Sequence, residues 1–388
     1  MPDPCISLNE KILYTVRDDL IEETWISYIV SLFGIKRQNH SSTITMYLKS
    51  MYSFTSILVH VSFFYSAAAL SLYSESFSTK RTLADIGCIS FSIVIWHQVQ
   101  LQKAKICQFY SYLRSLPRNL VQCNRKERGI INGLVFMAFI LPVAFSAAML
   151  SAALDGSSHY ANFWLFSHSI RYNKAVQALV VFFCMVIFFS TKFLILSLVA
   201  ITYGAFSYKL SKAIRLQNDV LKKSIHSEIF PAEIKLYYRI IQCCKLFNSC
   251  SKGTMLLIIF MYCIILYTGL ALALFQSIVI PTTSMVAEYV LTITVCISSV
   301  VALLTFSSEI PAAMMETKTK FRNIYQFAVL DPETTFTKRV LQWKSLAEIE
   351  PFYLTAWDMF PVEKGVILSL FGTSLSFIIL IMQLKRIE

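Results

Sequence analysis

The sequence predicts an all-α membrane protein: seven transmembrane helices, N-terminus cytosolic and C-terminus extracellular, with long cytosolic helical extensions. Three observations predict it. Of 388 residues, 56% are hydrophobic and only 15% charged. Globular chains carry about 25% charged residues, so the polar surface needed to cover a water-facing body is missing. Seven apolar runs reach spanning length, roughly 17–25 residues at 1.5 Å rise. The basic residues alternate between those runs.

The runs are approximately Met51–Leu72, Thr82–Leu101, Ile130–Leu154, Ala175–Ala200, Thr254–Ile280, Val286–Phe306 and Val366–Leu384. An earlier stretch, Thr24–Ile35, is 12 residues long. It is too short to cross and reads as an interfacial or packed helix. Met1–Glu23 carries Asp18, Asp19, Glu22 and Glu23 where a secretory signal has a basic start and an apolar middle. Lys and Arg total 26 in the N-terminal region and loops 2–3, 4–5 and 6–7, against 6 in the alternate segments. Because these side chains mark cytoplasmic loops, the N-terminus and the three long loops are expected in the cytosol. All ten cysteines fall in expected spans or cytosolic segments, so an extracellular disulfide is not expected. The net charge of +12 is thus topology. No basic, aromatic-laced face suggests nucleic acid.

Four regions follow: a cytosolic N-terminal region 1–45; spans 1–6 over 46–306, including a cytosolic helical loop 206–252; cytosolic anchor helices 307–360; and a last span with a short tail over 361–388. In loop 4–5, Leu210, Ile214, Leu221 and Ile225 keep a helical rhythm, and Ile234, Tyr237, Ile241 and Leu246 resume it after a break at Phe230-Pro231. Spans 4 and 5 are therefore expected to project past the membrane as helical arms. Lys192 either marks the inner membrane edge or is an intramembrane charge partnered by a residue such as Glu309. Met314–Leu330 reads as a helix leaving span 6, Asp331-Pro332 as a turn, and Thr335 as the N-cap of a short helix through about Leu346. Such partly apolar arms suit an oligomer.

Enzymatic and metal chemistry find little support. Cys243, Cys244 and Cys250 lack CxxC spacing and nearby His ligands, so packing is expected and no metal site. HExxH and GxSxG are absent, the six His residues are scattered, and neither a catalytic residue nor a cofactor is expected. The sequon Asn39-His40-Ser41 falls on the cytosolic side and is expected to stay unglycosylated.

At 100° per residue, Gly365, Ser369, Gly372, Thr373, Ser376, Leu380 and Gln383 share an arc of about 100° on span 7. Close helix packing explains such a stripe, and so does a wall facing a water-filled conduit. Gln383 favours the conduit, because a long amide near the outer end needs a wet or polar neighbour.

The segment Phe352–Gln383 resembles the C-terminal signature of insect gustatory receptors: Thr-Tyr, five hydrophobics, then Gln-Phe. Here it stands as Ser376-Phe377, Ile378 to Met382, then Gln383-Leu384, with Gln383 alone identical. Insect odorant receptors share the architecture and a similar lead-in, matched by Pro351-Phe352-Tyr353-Leu354-Thr355-Ala356 and Phe360-Pro361. The resemblance implies a tetrameric ligand-gated cation channel, homomeric or built with related receptor subunits, in the plasma membrane of chemosensory neurons. Ser369, Thr373, Ser376 and Leu380 would line its pore, and Gln383 and Leu384 would close it. A pocket in the outer halves of spans 1–6 would hold a small-molecule tastant, with Tyr65, Asp85, Trp164, Tyr172, Gln276, Glu288 and Tyr289 as candidates. The sugar-sensing branch has Glu directly after Thr-Tyr, where this chain has Ile378, so a bitter or other apolar tastant is expected. A G-protein-coupled receptor is the more distant alternative. It conflicts with the charge asymmetry and with the absence of Asp-Arg-Tyr after span 3 and Asn-Pro-x-x-Tyr in span 7.

Overall fold

A computed structural model describes residues 42–72, 79–154, 174–225, 227–275, 283–330 and 338–387. Helix α1 (Ser42–Leu72) and α2 (Thr79–Leu101) are followed by α3 (Lys103–Arg114), the single turn α4 (Arg118–Val121) and α5 (Arg125–Leu154). Then α6 (Lys174–Phe189) runs through a π turn, Ser190–Leu194, into α7 (Ile195–Lys223). The chain continues as α8 (Phe230–Phe275), α9 (Thr283–Leu330) and α10 (Lys338–Ala347). Two short strands, β1 (Thr355–Ala356) and β2 (Phe360–Pro361), lead into α11 (Lys364–Ile387).

Every expected apolar run is helical, Ala175–Ala200 passing from α6 through the π turn into α7, apart from 276–280, which, like Thr24–Ile35, is outside the described residues. Among the described residues, four stretches combine the length and low charge that a crossing requires: Arg125–Leu150, Ala175–Lys223, Phe230–Thr268 and Thr292–Leu330. At 1.5 Å per residue, α8 with 46 residues and α9 with 48 each run about 70 Å. A hydrocarbon layer is about 30 Å thick, so roughly half of each helix needs protein rather than lipid around it.

That half is where the core is densest. Leu210, Ala213, Ile214 and Leu221 of α7 are fully buried among α8 and α9, as their rhythm in the sequence predicts. Phe109 of α3 meets Phe206 of α7 and Phe247 of α8 with ring centroids 5.2 and 5.1 Å apart. The amphipathic α3 and the turn α4, which the sequence reading leaves as plain loop, close the side of this bundle. The break between the arms comes slightly earlier than expected. Helix α7 ends at Lys223, residues 224–225 and 227–229 turn, and Phe230-Pro231 opens α8, where a proline lacking N–H costs nothing.

Buried polar groups pin the arms. Asn218 of α7, 3% exposed, donates from Nδ2 to the Ala313 carbonyl of α9 at 3.1 Å and accepts from Thr317 Oγ1. Glu127, in the first turn of α5, accepts from Lys212 at 2.7 Å and from Tyr208 at 2.8 Å, both on α7. Gln217 donates to Glu233 across the α7/α8 turn at 2.7 Å.

Two readings of Lys192 are settled in part. It lies in the π turn, 8% exposed, with its ammonium 5.8 and 5.4 Å from the ring centroids of Phe188 and Phe193. Glu309 is paired elsewhere, with Arg215 of α7 and Lys364 of α11, because α9 turns that carboxylate toward the polar end of the bundle. The helix expected after span 6 is the uninterrupted second half of α9. The short helix expected through Leu346 is α10, which buries Val340, Trp343 and Leu346. Its expected cap, Thr335, is outside the described residues.

Thr317→Val removes the donor to Asn218 and leaves a buried amide oxygen short of a partner. A loss of about 1–3 kcal/mol is expected, read as a lowered melting temperature of the detergent-solubilised chain. An unchanged melt would mean that the Asn218 bond is not holding α7 to α9.

Candidate functional site

The approach to the last helix is built by residues 352–363. Trp357 and Asp358 have positive φ, 52° and 59°, and with Met359, whose N–H donates to the Ala356 carbonyl at 3.0 Å, they make the three-residue connection of a hairpin. Strands β1 and β2 pair antiparallel, Thr355 opposite Pro361 and Ala356 opposite Phe360. The hairpin is fastened to α8. Asn248 accepts from the Thr355 N–H at 2.8 Å and donates to Thr355 Oγ1 at 3.1 Å. Trp357 N–H donates to the Lys252 carbonyl at 3.0 Å, and Lys252 ion-pairs with Asp358, which also accepts from Thr355 Oγ1 at 2.9 Å. The Leu354-Thr355-Ala356 lead-in is therefore a clasp, with Leu354 and Ala356 fully buried beneath it.

At the start of α11, Lys364 Nζ donates to Glu309 at 3.2 Å, and Glu309 also holds Arg215. One carboxylate thus joins α7, α9 and α11. Farther along, α11 turns Val366, Ile367, Leu370, Ser374 and Phe377 toward α8 and α9. Ser374 is 6% exposed. Ile367 and Leu370 face Tyr262 and Leu266 of α8 and Cys296 and Val300 of α9 around a cleft of about 30 Å³. Beside it, Tyr267 of α8 donates to Thr373 Oγ1 at 2.8 Å, and its ring meets Phe377 edge-on with centroids 5.0 Å apart.

Apart from the Tyr267 contact at Thr373, the opposite face of α11 has no cover from the described residues. Ser369, Gly372, Thr373, Ser376, Leu380 and Gln383 are all exposed there, flanked by exposed Leu368 and Ile379. Packing among the described residues therefore does not account for the stripe. Its hydroxyls are satisfied locally: Thr373 and Ser376 donate to the carbonyls of Ser369 and Gly372, each at 3.0 Å. Leu384 lies on the same helix.

Of the expected ligand residues, Tyr65 of α1 is half-buried and reaches Cys184 of α6. Asp85 lies on α2, and Glu288 and Tyr289 lie in the first turns of α9. Trp164, Tyr172 and Gln276 are outside the described residues. Tyr267 is not legible as a site residue in the sequence, because a lone tyrosine in an apolar run carries no periodic signal. Nor are Asn248 and Lys252, whose partners lie more than 100 residues downstream.

Apolar helices of this length, packed in this order, make a multi-pass membrane protein. Its fold is that of the insect olfactory receptors. It matches the olfactory receptor OR5 from Machilis hrabei in complex with eugenol at a TM-score of 0.66 and 14% identity, covering 93% of this chain and 98% of that one. A second structure of OR5 from Machilis hrabei matches at a TM-score of 0.63 and 15% identity, with the same coverage. No family model matches the sequence, and no curated protein matches it.

The Lys252 ammonium and the Thr355 hydroxyl hold the Asp358 carboxyl below its ordinary value of 3.8. A depressed carboxylate contributes stability above its unfolded value, and that contribution is lost as the pH falls through its folded value. Acidification below about pH 4 is therefore expected to loosen the clasp. Melting curves of the solubilised chain between pH 7 and pH 3 check this: Asp358→Asn should flatten the acid-side fall, and an identical fall in that variant would count against the clasp as its source.

Proposed function

We propose that this chain is a subunit of a chemosensory channel, a ligand-gated, non-selective cation channel of the insect gustatory kind, opened by a bitter or other small apolar tastant. In this reading all seven apolar helices cross the membrane, the N-terminus is cytosolic and the C-terminus extracellular. Four subunits, identical or related, stand around one axis in the plasma membrane of chemosensory neurons.

The observation that carries the proposal is the uncovered stripe of α11 in a fold shared, over 93% of the chain, with an olfactory receptor. Copies of α11 placed around an axis bring Ser369, Thr373, Ser376 and Gln383 onto a common wall. Hydroxyls already bonded to their own helix can face water without reorganising. Toward the outer end, Leu380 and Leu384 narrow the wall with apolar groups, and Gln383 stands between them. An apolar ring closes a pore by dewetting, and a shift of an ångström or two is enough to rehydrate it. Lys385 and Arg386 follow at the mouth, so cations pass only where those side chains turn from the axis or pair with Glu388.

The ligand would enter among the outer halves of the first six spans, where Tyr65, Asp85, Trp164, Tyr172, Gln276, Glu288 and Tyr289 supply aromatic walls and a few polar groups. A ligand that favours the open arrangement shifts the population by its differential affinity alone. The second reading is an odorant receptor subunit of the same architecture; the similarity to OR5 from Machilis hrabei is one of fold and fits both branches. The hairpin clasp belongs equally to both readings.

Whole-cell recording of the chain, alone and with related subunits, separates channel from non-channel, and tastant and odorant panels separate the two branches. Cysteines at Ser369, Thr373, Ser376 and Gln383 should give currents altered by a charged thiol reagent, whereas Ser374→Cys, buried against α8 and α9, should not. Equal modification at all five positions would dismiss α11 as a pore wall. Leu384→Ala should raise the unliganded current several-fold, and an unchanged leak would move the gate elsewhere.

A further inference from the structure

Among the described residues, two directional contacts hold the last helix to its own subunit. One is the Lys364–Glu309 pair at its first residue, and the other, nine residues on, is the Tyr267–Thr373 hydrogen bond. Between them, Ile367 and Leu370 touch α8 and α9 through apolar groups around the cleft. Apolar contact has no preferred direction, so that seam tolerates sliding where a hydrogen bond does not. Past Thr373, α11 continues to Ile387 with Ser376, Ile379, Leu380 and Gln383 uncovered. Gly372 precedes the contact, and a Cβ placed there would meet nothing within 4 Å, so the helix has room to move at this point.

Thr373 Oγ1 already donates to its own helix, at 3.0 Å to the Ser369 carbonyl. It therefore meets Tyr267 as an acceptor, in a bond that joins two helices. The edge-on contact with Phe377, one turn farther on, fixes the tyrosine ring against the same helix. Tyr267 also stands nine residues before Gln276, one of the candidate ligand residues. The described part of α8 runs on from Tyr267 to Phe275, about 12 Å along the helix axis, so a displacement of its outer end would reach Tyr267.

We propose that Tyr267 is a positioning residue for the gate. Its hydroxyl bond to Thr373 and its ring contact with Phe377 make the joint through which α8 moves the outer half of α11, and the intact bond favours the closed conduit. This deepens the channel reading above and rests on it. Conformational change then needs no contact between the ligand and α11, because the bond carries displacement from one helix to the other.

The test is a double-mutant cycle recorded without added ligand, with each current normalised to the labelled receptor at the cell surface. Tyr267→Phe and Thr373→Val should each raise the unliganded current about five- to tenfold, the scale of one lost hydrogen bond. The double variant should rise no further than either single one. Thr373→Ser keeps the acceptor and should match the wild type. The same variants carrying Gln383→Cys should be modified faster by a charged thiol reagent applied outside, a readout that altered expression does not move. Additive effects, a silent Tyr267→Phe at normal surface level, or Thr373→Ser behaving like Thr373→Val would each overturn the proposal. A wild type that carries no current with any partner subunit would instead sink the channel reading and this proposal with it; a conducting wild type with a silent Tyr267→Phe sinks the proposal alone.

Discussion

The burial of α7 between α8 and α9 is the constraint on which the rest of the architecture depends. A helix that leaves the hydrocarbon layer loses the solvent that suited its apolar side chains and must replace it with protein. Helix α7 does so along nearly its whole length, with Leu196, Leu210, Ala213, Ile214 and Leu221 all fully buried. Once apolar burial has brought the three long helices together, a few polar groups set their relative register. Asn218 reaches α9, Gln217 reaches Glu233, and Lys212 and Tyr208 share Glu127. Each is a hydrogen bond between helices that apolar packing alone would leave free to slide.

The same logic positions the last helix. Its start is set by Glu309 and by a hairpin whose backbone is bonded to Asn248 and Lys252 of α8. The arms therefore fix where α11 begins, while α8 and α9 support it farther along. A helix firmly placed at one end and lightly held toward the other is suited to small movements of its free end. The polar stripe sits on the face those supports leave open.

Much of the helical framework was legible in the sequence because hydrocarbon thickness and helical rise leave few choices for an apolar run of about twenty residues. The arms were legible too, since Leu210, Ile214 and Leu221 repeat at helical spacing and are buried together. The stripe could be placed on one face of α11 from spacing alone, and it is exposed on one face. What escaped was the polar detail. Glu309 was weighed as a partner for Lys192, but it binds Arg215 and Lys364, a choice set by how α9 lies against α7 and α11. Trp357 and Asp358 carry none of the glycine or asparagine that usually marks a left-handed turn, so the hairpin was invisible. The Tyr267–Thr373 bond joins residues 106 apart, and no local pattern encodes such a partner.

The π turn at Ser190–Leu194 makes insertions and deletions unequal along this rod. A π turn accommodates one surplus residue, so losing a residue there would restore a plain α-helix and leave both flanking faces in phase. Losing one a few turns later would rotate everything beyond it by about 100°, turning Asp219 and Lys222 inward and Leu221 outward. Length variation among related chains should therefore be tolerated at the bulge and rare in the arm below it.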